Sequence, residues 1–250
     1  MTEINPISAP SPNFDERAYP VDMLVLHYTG MENGPSALDR MRDPDAKVSA
    51  HYMVEEDGQI FQLVSEDKRA WHAGVASWMG HDDLNSRSVG IEIVNGGHDF
   101  GLPPFPDAQI DAVIALSAAI VDRWAIPARR LVAHSDIAPS RKADPGEMFP
   151  WARLAEAGLG LWPERPDVGT LRGVGLGSEM KGEGVVRMQG GLTTIGYDLP
   201  ITGVYDAATE VVVRAFQRRW RADAVTGQAD LTTLIMIERV ADLARRSGIG

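Results

Sequence analysis

One short stretch, Ala133-His134-Ser135-Asp136-Ile137-Ala138-Pro139-Ser140-Arg141-Lys142-Ala143-Asp144-Pro145-Gly146, gathers an imidazole, an ammonium and a carboxylate. Its Pro, Ser and Gly content argues for a loop rather than a helix. His134 and Asp144 can both ligate a metal, and Lys142 stands two residues before Asp144. A cation beside metal ligands is costly unless something anionic, such as a developing oxyanion, is also present. A catalytic zinc site takes three protein ligands and keeps one position open, so a third must come from elsewhere. The best candidate is His27, at the end of the apolar run Met23-Leu24-Val25-Leu26 and before Tyr28-Thr29-Gly30. A histidine at a strand's C-terminal end is placed where open α/β sheets carry their sites. Taken alone, a histidine after a strand is most often a packed or surface residue, and it is the three together that point to a metal.

Glu92 sits in the apolar string Val89-Gly90-Ile91-Glu92-Ile93-Val94, where a carboxylate is expensive to bury unless it is paired or used. Two readings stay open. It points to solvent by period-two alternation, or it is a base of raised pKa that deprotonates a metal-activated water. His51 and His72 stand beside Tyr52 and Trp71; these residues fit a substrate wall, and the histidines fit the core or the space behind the ligands equally well. Asn95, just after the Glu92 strand, is placed to hydrogen-bond a substrate amide. His81 and His98 lie in loops and read as bystanders.

The elements that must position these residues follow in order. Residues 1–20 read as an extended arm, and Val21 to His27 as a short apolar strand. A helix starts at Pro35 and stops before Pro44. Ser49 to Glu55 and Gln59 to Val64 flank the turn signal Glu56-Asp57-Gly58, which makes a hairpin. Ser88 to Asn95 is another strand. Ile110, Val113, Ile114, Ser117, Val121 and Trp124 recur at helical spacing between an N-cap at Asp107 and a stop at Pro127. Leu131-Val132-Ala133 then delivers His134. Mixed strands and helices predict an α/β unit over 1–165, a central sheet covered by helices. A Gly-rich linker follows over 166–184. Three amphipathic segments over 185–250 (Val185 to Ile195, Asp206 to Trp220, Asp230 to Leu243) predict a small all-helical unit capped at Asp206 and Asp230. With few ionisable clusters, that unit suits binding better than catalysis.

The net charge of −11 argues against nucleic acid or an anionic membrane surface as partner. There is no cysteine, so disulfides and thiolate ligands are excluded and any metal must rest on His and carboxylates. No apolar run is long enough to span a bilayer. The opening Met1-Thr2-Glu3-Ile4-Asn5-Pro6 has neither a basic nor an apolar leader region, so the chain as written is expected in the cytoplasm, or in the periplasm had an export signal been removed.

The strings Val25-Leu26-His27-Tyr28-Thr29, Ser49-Ala50-His51-Tyr52, Ala70-Trp71-His72-Ala73-Gly74, Gly90-Ile91-Glu92-Ile93-Val94-Asn95 and the 133–146 stretch resemble the type-2 N-acetylmuramoyl-L-alanine amidases, most nearly the AmpD/AmiD branch. The resemblance runs over residues 10–163 in family-like order. Gly196-Tyr197-Asp198, Thr202 to Glu210 and Ala215-Phe216-Gln217-Arg218-Arg219 resemble a three-helix peptidoglycan-binding module. The resemblance implies one Zn²⁺ held by His27, His134 and Asp144. It implies Glu92 as proton shuttle, Lys142 as oxyanion stabiliser, and cleavage between the muramic lactyl group and L-alanine of the stem peptide. A monomer acting on peptidoglycan or a muropeptide is the matching expectation.

Three alternatives stay in view. Zinc-free peptidoglycan-recognition proteins share the fold, but the intact ligand set speaks against them. A zinc D-alanyl-D-alanine peptidase would need a helical Glu-x-x-His motif, which the chain lacks. Recycling of soluble 1,6-anhydro-muropeptides competes with action on the sacculus. On this reading, deleting residues from about 176 onward spares cleavage of small muropeptides and weakens sacculus binding.

Overall fold

The computed structural model describes residues 4–167, 169 and 173–247. Its centre is a six-stranded sheet. In chain order its strands are β1 (Ile7–Ser8), β3 (Met23–Tyr28), β4 (Tyr52–Val54), β5 (Ile60–Gln62), β7 (Ser88–Ile93) and β8 (Leu131–Ala133); in space they run β1-β5-β4-β7-β3-β8. β3 lies parallel to both β7 and β8, β4 is parallel to β7, and β4 and β5 form the antiparallel hairpin. The sheet is therefore mixed. Near-continuous apolar runs in β3 and β7 follow from their central, parallel positions, where both faces are covered. The arm is part of this frame: β1 pairs with β5 at the sheet edge, and β2 (Phe14–Glu16) pairs with β6 (Lys68–Ala70).

Alternation along the strands sorts side chains between two faces. Leu24, Leu26, Tyr52, Val89, Ile91, Leu131 and Ala133 meet α3 (Asp107–Trp124) and Trp151 and Leu154 of α5 (Trp151–Glu156). The expected cap at Asp107 is corrected. Pro106 occupies the cap position without a side-chain bond, and the Asp107 carboxylate, one residue inside, pairs with Arg153 at 2.6 Å. On the opposite face Met53 packs with α1 (Gly34–Arg42).

Met23, Val25 and Val132 on that second face join a core shared with α6 (Glu183–Ile195), α7 (Ala207–Trp220) and α8 (Leu231–Arg246). Asp206 and Asp230 cap α7 and α8 as expected, accepting the Thr209 and Thr233 amides at 2.9 and 2.7 Å. The second half of the expected linker is paired with the helical unit. Leu176 exchanges both backbone bonds with Ala229, at 2.8 and 2.9 Å, and Lys181 bridges to Val204, so this part belongs to the helical unit. The linker reading at residues 168 and 170–172 lies outside the described residues. Among the described residues no helix is long and apolar enough to cross a membrane.

Candidate active site

The three candidate ligands converge. His27 comes from the C-terminal end of β3. His134 opens α4 (His134–Ile137), a single helical turn directly after β8. That turn corrects the expectation of a helix-free loop: the Asp136 carboxylate accepts the Ala133 N–H at 2.9 Å and closes the turn locally. The chain then bends back through Arg141 and Lys142 N–H groups donated to Ala138 O, and the Ser135 N–H donates to Asp144 O at 2.9 Å, which brings Asp144 beside His134. His27 Nδ1 lies 2.9 Å from His134 Nδ1 and 3.1 Å from Asp144 Oδ2; His134 Nδ1 lies 2.9 Å from the same oxygen. Ligand atoms about 2.0–2.1 Å from a tetrahedral zinc ion stand ~3.3 Å apart, so the triangle has the size such an ion needs.

Hydrogen bonding behind the ligands decides which nitrogen is free. The Ser88 hydroxyl donates to Leu84 O at 2.6 Å, so its oxygen accepts from His72 Nε2 at 3.2 Å. His72 Nδ1, then without a proton, accepts from His27 Nε2 at 3.0 Å. On the other ligand His134 Nε2 donates to Ala73 O at 3.1 Å. Both Nδ1 lone pairs are thereby aimed into the triangle, the arrangement that tunes metal-ligating histidines. Burial, then the neighbouring charge of His134, pulls the His27 imidazole down to about 4, which leaves it in its neutral ligating form near neutral pH. For Asp144, burial pushes the carboxyl up, but the neighbouring imidazoles of His134 and His27 outweigh it and hold the group below the ordinary carboxylate range.

His72 was open between substrate wall and support; the structure puts it behind His27. Its ring lies flat over Gly90, where an added Cβ would meet His72 Cγ at 2.5 Å. Gly90→Ala is therefore expected to cost roughly 1–3 kcal/mol of stability by overpacking and to weaken metal binding by displacing His72. Thermal denaturation with a metal titration checks this; unchanged metal affinity would show that His72 does not steer His27.

Glu92 is the register partner of His27 on the adjacent strand, on the same face. One of its oxygens, Oε2, is buried with no hydrogen-bond partner among the described residues. Burial, then the Asp144 charge, raises its pKa well above the ordinary value, and the Lys142 ammonium opposes that rise. Glu92 thus shares the sheet face of His27 and is half-buried there, with one oxygen shielded from solvent.

The other candidates separate. His51 is on the site's face but fully enclosed: its Nδ1 accepts the Gly90 N–H at 2.9 Å and its Nε2 meets Lys68 O at 3.1 Å. Burial, then the Arg17 charge, pulls it down to about 3. Tyr52 is a correction. One residue from His51, it falls on the opposite face, and its hydroxyl donates to Glu66 at 2.7 Å. The Trp71 indole donates to Asp15 on the arm at 2.7 Å. Both ends of the Asn95 amide are committed to loops, donating to Pro103 O at 2.9 Å and accepting from Gly97 N at 2.9 Å. His98, read as a bystander, lies 3.0 Å from the Tyr28 hydroxyl and 3.1 Å from Glu147. Asp136, which the sequence does not single out, stands two residues after His134.

An N-acetylmuramoyl-L-alanine amidase family model matches residues 17–147, and a peptidoglycan binding domain model matches residues 181–237. The N-acetylmuramoyl-L-alanine amidase AmiD of Escherichia coli (strain K12) is 35% identical over 241 residues, 91% of this chain and 85% of its own length. The 1,6-anhydro-N-acetylmuramyl-L-alanine amidase AmpD of the same strain is 38% identical over 166 residues, 58% of this chain and 87% of its own length. The solved complex of E. coli AmiD with the substrate anhydro-N-acetylmuramic acid-L-Ala-D-gamma-Glu-L-Lys superposes with a TM-score of 0.78 at 33% identity, over 93% of this chain and 98% of that one. Likeness of this extent, carried through both units, makes the chain a member of the N-acetylmuramoyl-L-alanine amidase family.

Proposed function

We propose that the chain is a zinc amidase that cleaves the bond between the lactyl group of N-acetylmuramic acid and L-alanine, with His27, His134 and Asp144 as zinc ligands. The observation that carries this is the buried triangle of two Nδ1 atoms and one carboxylate oxygen, all within 4.8 Å of one another, with Glu92 in register beside it. Zinc there supplies a Lewis acid and an activated water near neutral pH. Glu92 takes the proton of the attacking water and returns it to the alanine nitrogen as the C–N bond breaks. Lys142 offsets the negative charge that develops on the former carbonyl oxygen. Support for the muropeptide comes from the AmiD substrate complex, and support for wall binding by residues 185–250 comes from the peptidoglycan binding domain match. The working unit is read as a monomer with a catalytic part over 1–165.

Asp144→Ala is expected to lower zinc affinity tenfold or more, since a two-histidine site lacks the charge-neutralising ligand. Metal content after dialysis against a buffered chelator measures it, and full retention of zinc would show that the ligand set is wrong. The reaction itself is tested by offering zinc-loaded protein intact sacculi and purified anhydro-muropeptide side by side. Free stem peptide from either establishes the amidase. The faster substrate assigns it to wall turnover outside the cytoplasm or to recycling within it. No release from either, with zinc bound, would favour a binding protein.

A further inference from the structure

The helical unit does more than sit against the sheet. Its Tyr197 hydroxyl donates to Asp136 Oδ1 at 2.6 Å, and its Arg219 Nη1 donates to Asp136 Oδ2 at 2.8 Å. The side chains of Arg219 and Asp136 are 3% and 0% exposed. A carboxylate taken that far from water needs partners for both oxygens. The catalytic unit supplies one, the Ala133 N–H, and the helical unit supplies the others.

Asp136 is the third residue of the turn that begins with His134, and Ser135 of that turn holds the Asp144 carbonyl. Arg219 grips the preceding strand as well: its Nη2 donates to Leu131 O at 3.0 Å. Its guanidinium lies between two indoles, 4.1 Å from the Trp151 ring and 4.5 Å from the Trp220 ring. Tyr197 is fixed just as firmly. Its ring meets Trp78 edge-on at 5.1 Å, and Gly196 O accepts the Met79 N–H at 2.8 Å. A side chain at Gly196, whose φ is +141°, would run into the Trp78 ring. The Gly196-Tyr197 turn, which in sequence reads as a feature of a wall-binding module, is thus spent on the catalytic unit.

We infer that Tyr197 and Arg219 are positioning residues of the metal centre, holding through the buried carboxylate of Asp136 the turn that presents His134 and ties down Asp144. The inference rests on the reading of His27, His134 and Asp144 as zinc ligands. The helical unit is on this account a structural part of the catalytic centre, and wall binding falls to its outer surfaces.

The test compares zinc dissociation constants of the full-length chain by competition with a chromogenic chelator, well below the melting temperature. Tyr197→Phe removes one hydroxyl and keeps the ring, and Arg219→Lys keeps a charge but loses the two-pronged reach. Val240→Ala opens a cavity in α8, inside the shared core but away from Asp136, and serves as the stability control. Tyr197→Phe and Arg219→Lys are expected to weaken zinc binding about tenfold, the low end for residues supporting a ligand, while Val240→Ala lowers the melting temperature and leaves zinc affinity within twofold. A lowered melting temperature with unchanged zinc affinity in Tyr197→Phe and Arg219→Lys would overturn the inference, as would an equal loss of zinc affinity in Val240→Ala. Should one of the two variants not fold, the other still decides. Wild-type protein that binds zinc but releases no stem peptide would overturn the amidase reading instead, and would leave the affinity comparison standing.

Discussion

Glu92→Gln is expected to keep its zinc and lose about 10²–10⁴-fold in turnover, the range for removing a positioned general base. The substitution is close to isosteric, and Glu92 holds no place in the ligand triangle, so metal content and melting temperature should match the wild type. The size of the loss follows from the surroundings. Burial and the Asp144 charge push the carboxyl up, which makes it a stronger base than an ordinary carboxylate. A dication held by the neighbouring triangle would pull it part of the way back by favouring the charged form. An amide in that place has no basic oxygen and cannot carry the proton to the leaving nitrogen. Stem-peptide release under single-turnover conditions, read together with zinc content, makes the measurement. Wild-type turnover with full zinc would remove Glu92 from the reaction, and a parallel loss of zinc would recast it as part of the metal site.

The ligands were legible because their chemistry is scarce and their context is local. In a chain without cysteine, a histidine closing an apolar strand and a His–Lys–Asp loop have few other uses. The side of the sheet was harder to read. β7 is covered on both faces, so its pattern cannot say where Glu92 points; the pairing of His27 with Glu92, far apart in sequence, decides it. Tyr52 shows the same limit from the other direction. It neighbours His51 in sequence, yet one step along a strand moves a side chain to the opposite face. The turn at His134 does not show in the composition of the 133–146 stretch, because four residues of it are held helical by a carboxylate with tertiary partners. The helices of the C-terminal unit were plain from their periodicity, but an amphipathic helix does not name its partner. Their apolar faces meet Met23, Val25 and Val132 as well as one another, which no local pattern records.

That shared core reverses what the sequence leads one to expect of a truncation. Deleting residues from 176 onward is now expected to abolish cleavage of soluble muropeptides, by unfolding the catalytic unit rather than by removing a binding site. The cut would uncover Met23, Val25, Trp78, Val132, Ile137 and Leu161, all packed in one cluster with α6, α7 and α8. At roughly 1.5–3 kcal/mol for each fully buried side chain, even partial exposure of this set costs on the order of 5–10 kcal/mol. That is comparable with the whole stability of a typical domain. The cut would also leave the Asp136 carboxylate with the Ala133 N–H alone, after losing Tyr197 and Arg219. A homologous catalytic unit does exist largely by itself, since AmpD aligns over 87% of its own length with only 58% of this chain. In this chain the corresponding face is apolar and packed against α6, α7 and α8. Soluble yield, thermal unfolding and stem-peptide release from anhydro-muropeptide, compared between the truncated and full-length proteins, decide the matter. A truncated protein that folds cooperatively and cleaves the soluble substrate at the full-length rate would show that the shared core is dispensable and that the C-terminal helices serve the wall alone.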